Sequence, residues 1–119
     1  MTTLFEAATP NPSGHRDVRP EQVLADKKAT RIIDVREPSE FTGELGHIEG
    51  AELVPLATVA AASTSWAKDE ALVLICRSGR RSEQAARELT AAGFQHAMNM
   101  LGGMLAWNEA RLPVEGATR

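Results

Sequence analysis

The chain has 119 residues, 43% of them hydrophobic and 24% charged; this is about one domain's length and excludes a chain too polar to build a core. Thirteen basic against sixteen acidic residues leave a formal net charge of −3, so no global positive field draws it to nucleic acid or an anionic membrane. The single cysteine, Cys76, excludes an intramolecular disulfide and a thiolate zinc site.

His15, His47 and His96 are widely separated, and none stands at metal-ligand spacing with Cys76 or a second histidine. No metal and no cofactor are expected. The apolar run 71–75 is far short of the roughly 20 residues that span a bilayer. Residues 1–10 lack the basic and apolar regions of a signal peptide, and the expectation is a cytoplasmic protein with nothing to cleave.

Residues 1–16 carry Thr-Pro-Asn-Pro-Ser-Gly with little periodicity and read as a lead-in anchored only by Leu4 and Phe5. A domain over 17–115 follows. Pro20 suits the first turn of a helix over 20–27, and Arg31-Ile-Ile-Asp-Val35 reads as a buried strand. Residues 38–50 are rich in glycine and charge and read as a connection, then 51–54 as a short strand ended by Pro55. The alanine-rich stretch 57–66 suits a helix. The continuous apolar run 71–75, with β-branched members, has the character of a central strand buried on both faces. Ala85, Ala86, Leu89 and Ala92 keep helical spacing, and Gly93 is placed to stop that helix in the left-handed region. A last strand over 97–101, a tight Gly102-Gly103 turn and a closing helix over 104–111 complete the order. Strands alternating with helices imply an α/β domain with a central, mainly parallel sheet flanked by helices.

Cys76 directly follows the central strand and directly precedes a helix, which puts it at the carboxyl edge, where open α/β sheets place their ligand crevices. Arg77, Arg80 and Arg81 add three positive charges beside it. With the loop amides and the helix N-terminus, the segment reads as an anion cradle. A free thiol at pKa ~8.5 is only about 3% thiolate at neutral pH, and a nest of donors favours the nucleophilic form. Arg81, closing the loop at the helix start, reads as an anion or loop-carbonyl ligand. Asp34, Arg36 and Glu40 read as an ion-pair framework under the loop. His47 reads as a hydrogen-bonded structural histidine, since neither the papain-like nor the caspase-like signature surrounds Cys76. Trp66 and Trp107 read as packing residues.

The ordered set Ile33-Asp34-Val35-Arg36, Glu40-Phe41, Gly46-His47-Ile48-Glu49-Gly50-Ala51, Val54-Pro55, Cys76-Arg77-Ser78-Gly79-Arg80-Arg81-Ser82 and Leu101-Gly102-Gly103 with Trp107 resembles the rhodanese family of single-domain sulfurtransferases. The resemblance covers roughly residues 17 to 113. It implies a six-residue active-site loop, Cys76 to Arg81, in which Cys76 is the catalytic residue and takes up a sulfane sulfur as a persulfide. Arg77, Ser78, Gly79, Arg80 and Arg81 would bind the substrate. Thiosulfate, glutathione persulfide or a similar small molecule would be the donor, and a thiol, cyanide or a protein the acceptor. Phosphatase relatives of the same fold have a loop one residue longer, and Ser82 occupies that later position here. Other relatives lack the cysteine and serve as adaptor or sulfur-carrying modules, so the adaptor and the phosphatase stand as the alternatives to the sulfurtransferase.

Overall fold

The computed structural model describes residues 2–118. Six strands form one sheet: β1 (Thr9–Pro10), β2 (Arg16–Val18), β3 (Arg31–Asp34), β4 (Glu52–Leu53), β5 (Leu72–Ile75) and β6 (Ala97–Met100), in the spatial order β1-β2-β6-β5-β3-β4. Every pairing is parallel except β1 with β2. The helices are α1 (Leu4–Ala7), α2 (Pro20–Ala25), α3 (Pro38–Phe41), α4 (Val59–Ala62), α5 (Arg80–Ala91) and α6 (Gly103–Glu109).

Side chains alternate across the central strand, and the two layers of core follow from that alternation. Val73 and Ile75 face a layer completed by Val23 of α2 and by Met104 and Trp107 of α6. Leu72, Leu74 and Cys76 face the opposite layer, with Val59 of α4 and Ala85, Ala86 and Leu89 of α5. All four β5 side chains are buried, each contributing about 1.5–3 kcal/mol relative to exposure. This is the α/β architecture expected from the sequence.

Helix α5 ends as its sequence indicates. Gly93 adopts φ +101°, its amide bonds to Thr90 O at 3.0 Å and the Phe94 amide to Leu89 O at 3.0 Å, while Phe94 and Leu89 share one core layer. The stretch 57–66 differs from the single helix expected. It is broken into a 3₁₀ turn at Leu56–Thr58, α4, and a second 3₁₀ turn at Ser63–Ser65. Hydroxyls of Thr58, Ser63, Thr64 and Ser65 donate to carbonyls three residues back, a local alternative to regular helical bonding.

The N-terminal stretch expected as a lead-in contributes α1, β1 and two core side chains, Leu4 and Ala8. A reciprocal capping pair fixes α1: the Glu6 amide donates to Thr3 Oγ1 at 3.1 Å and the Thr3 amide to Glu6 Oε1 at 2.8 Å. Arg16 ties α1 to β2 through a 2.8 Å bond to Phe5 O and stacks over the Phe5 ring.

Candidate active site

The carboxyl ends of β3, β5 and β6 converge on the loop that begins at Cys76. Two amides of α6 hold the start of this loop, Met104 N–H bonding to Cys76 O at 2.8 Å and Leu105 N–H to Arg77 O at 3.0 Å. The approach is so close that a Cβ on Gly103 would lie 2.4 Å from Cys76 O. Gly79 then turns the chain into α5 with φ +101°, a conformation that glycine adopts without the usual cost of about 1–2 kcal/mol.

The Cys76 side chain is buried. Its Sγ accepts the Gly79 amide at 3.0 Å, and Ser82 Oγ lies at 3.2 Å. The same hydroxyl reaches Asn99 Oδ1 at 2.6 Å. One hydroxyl proton therefore faces two acceptors: with a thiol present it serves Asn99, and with a thiolate it is available to the sulfur. Ser82 and Asn99 are buried, and this polar chain escaped the reading of the sequence. The available signal was a single asparagine inside an otherwise apolar strand.

Asp34 and Arg36 form a buried, forked ion pair, with Arg36 Nη2 at 2.8 Å from Asp34 Oδ2 and Nε at 2.9 Å from Oδ1. The guanidinium also donates to Glu40 O at 3.1 Å and Gly46 O at 2.7 Å. Removing one partner of such a pair leaves an uncompensated buried charge and costs about 3–5 kcal/mol. Glu40 gives Arg36 only its carbonyl; its carboxylate grips Arg81 through two bonds of 2.7 and 2.8 Å. That grip holds the Glu40 carboxyl down at about 2, chiefly through the hydrogen bond from Arg81.

Arg81, expected as a ligand of a bound anion or of a loop carbonyl, thus has both terminal nitrogens engaged by the Glu40 carboxylate. Arg36 brings this about by fastening the Glu40 main chain beside the start of α5. The donors that reach the sulfur are the Gly79 amide and the Ser82 hydroxyl. Arg77, Ser78 and Arg80 are exposed, and neither arginine has an acidic partner among the described residues. Arg77 lines a cleft of about 240 Å³ together with Arg36, Ser39, Glu40 and Glu44. His47 lies behind this wall, its Nδ1 at 2.8 Å from Phe41 O and its ring stacked on Phe41 at 3.7 Å. Trp66 and Trp107 are both in the core. Among the described residues no helix is long and apolar enough to cross a membrane.

A parallel α/β sheet carrying a cysteine loop between its central strand and the following helix defines a thiol-bearing domain with its site at the carboxyl edge. The chain belongs to the rhodanese-like domain family, whose model matches residues 19–110. It is 36% identical over 87 residues to a putative sulfur carrier protein, YrkF, of Bacillus subtilis, covering 73% of this chain and 46% of that one. It is 34% identical over 93 residues to a sulfurtransferase of Allochromatium vinosum, covering 78% and 85% of the two chains. It therefore spans about half the length of the Bacillus relative and most of the Allochromatium one. The crystal structure of a rhodanese-related protein from Thermoplasma volcanium superposes with a TM-score of 0.77 at 26% identity, covering 86% of this chain and 99% of that one.

Proposed function

We propose that the protein is a cytoplasmic sulfurtransferase that moves a sulfane sulfur from thiosulfate or a persulfide donor to a nucleophilic acceptor through a persulfide on Cys76. The observation that carries this reading is the sulfur itself: the one cysteine of the chain, at the carboxyl end of the central strand, with an amide and a hydroxyl directed at it. The name of the Allochromatium relative supports the same chemistry.

In the first half-reaction the Cys76 thiolate attacks the outer sulfur of thiosulfate. A new S–S bond forms, the bond to the sulfonate sulfur breaks, and sulfite leaves with its electron pair. In the second, an acceptor such as cyanide or a thiol attacks the terminal sulfur and regenerates the Cys76 thiolate, giving thiocyanate when the acceptor is cyanide. With a single cysteine the persulfide has no internal thiol to resolve it, so discharge passes to an external acceptor. Gly79 N–H and Ser82 O–H stabilise the charged sulfur, while the exposed Arg77 and Arg80 draw the anionic donor toward the loop. Because Cys76 is buried in this conformation, its surroundings have to open as the donor enters.

Incubation with thiosulfate and no acceptor should add one sulfur atom to the protein by intact mass spectrometry, reversed by cyanide and absent in Cys76→Ser. The variant should fold and lose thiocyanate production. Transfer at the parent rate by Cys76→Ser would overturn the mechanism. The name of YrkF favours a second reading, a sulfur-carrying module; persulfide formation without turnover on small acceptors would select it.

A further inference from the structure

Where β2 meets the start of α5, on the far side of Ser82 and Asn99 from the Cys76 sulfur, His15, Asp17 and Glu83 come together with ligand atoms all within 4.8 Å of one another. His15 is buried, and its Nε2 has no hydrogen-bond partner among the described residues. The ring is fixed from its other side. Ser13 Oγ donates to Asn11 Oδ1 at 3.1 Å, so it is free to accept from His15 Nδ1–H, its close neighbour. That assignment leaves a bare lone pair on Nε2, held 3.4 Å from Asp17 Oδ1. A bare lone pair this close to a carboxylate is repulsive, and a cation bound by both removes the repulsion.

We propose that His15 Nε2, Asp17 and Glu83 form a binding site for a first-row divalent cation of the zinc type. Nitrogen and carboxylate ligands bind Zn²⁺ at about 2.0–2.2 Å, and two such ligands at a tetrahedral centre stand about 3.4 Å apart. The His15 to Asp17 spacing already has this value. Glu83, in the first turn of α5 and with its side chain 40% exposed, swings in to complete the set and leaves the fourth position to water. Two carboxylates and a neutral imidazole give a site of charge −2, matched to a divalent ion.

The surrounding hydrogen bonds suit that role. Ser13 orients the imidazole, and Asn11 Nδ2 donates to Asp17 Oδ2 at 3.2 Å while Asn99 Nδ2 approaches Asp17 Oδ1 at 3.5 Å, the kind of support that raises metal affinity. The full ligand set is invisible to sequence spacing because Glu83 lies on α5, whereas His15 and Asp17 lie at β2.

The test is calorimetric titration of Zn²⁺ into the untagged full chain in the Cys76→Ser background, which removes the thiolate as a competing soft ligand. One equivalent should bind. Asp17→Asn and Glu83→Gln, each confirmed as folded by circular dichroism, should weaken binding by at least about tenfold, and Ser13→Ala, which only releases the imidazole, by about tenfold. Absence of Zn²⁺ binding by the Cys76→Ser protein, or binding unchanged in both Asp17→Asn and Glu83→Gln, would overturn the proposal. Because the readout is binding by a chain that cannot form a persulfide, its outcome is independent of the proposed sulfur transfer.

Discussion

The turn from β5 into α5 passes through Cys76, Arg77, Ser78 and Gly79, whereas the neighbouring turn from β6 into α6 needs only Leu101 and Gly102. Both end on a left-handed glycine, Gly79 at φ +101° and Gly102 at φ +75°. In the longer turn, exposed side chains surround a buried sulfur. The shorter one spends its first helical amides on the carbonyls of the longer one. The shape of the reactive loop is thus imposed from outside it, by a turn about 25 residues further along the chain.

The most severe way to break this relation is Gly103→Ala. The new Cβ would meet Cys76 O at 2.4 Å from a backbone at φ +56°, and overpacking together with left-handed strain amounts to about 3 kcal/mol. A urea unfolding midpoint lowered accordingly, with transfer activity lost alongside it, is the expected outcome; a midpoint equal to the parent's would show that the two turns are not coupled.

Ser82→Ala tests the longer turn from within. It strips a donor from Sγ and leaves the buried Asn99 Oδ1 without its 2.6 Å bond, at a cost of about 2 kcal/mol. Alkylation of Cys76 by iodoacetamide at neutral pH should slow in the folded variant. An unchanged alkylation rate would leave Gly79 as the only donor that matters.

The smallest effect concerns the ion pair at the rim. The Glu40 carboxyl is held at about 2, below its ordinary 4.5, so its contribution is fully present above about 4.5 and is lost as the pH falls toward 2. Both partners are partly exposed, which limits the contribution to about 1 kcal/mol. Glu40→Gln should be less stable than the parent by about that amount at neutral pH, with the gap closing across this acid window in chemical unfolding. A gap independent of pH would show that the pair contributes nothing through its charge.

What could be read from the sequence was local. The 71–75 strand, the Cys76 loop, the helix behind it and its Gly93 stop are contiguous patterns, and the structure has each of them in place. The pairing of Glu40 with Arg81 spans 41 residues, and spacing alone suggested Arg36 as the nearer partner for that carboxylate. Ser82 and Asn99 meet only because α5 packs along β6. The short N-terminal helix did carry a signal, Thr3 followed by Glu6, but a single turn offers too little apolar periodicity to stand out from the surrounding prolines. The broken 57–66 segment reflects a competition that alanine content hides, in which serine and threonine hydroxyls bind the carbonyls a regular helix would use.

The ends of the sheet have a consequence for the behaviour of many copies together. Both outermost strands, β1 and β4, are two residues long. Pro10 offers no N–H to a newcomer beside β1. Glu52, held by Arg31 at 2.7 Å, puts a carboxylate on β4, and Pro55 stands just beyond it. An incoming strand from a second molecule therefore finds neither a ladder long enough to grip nor a full row of donors. Crowded solutions of the protein should resist growth into sheet-to-sheet filaments even though the interior is rich in the β-branched sequence from which such filaments are made.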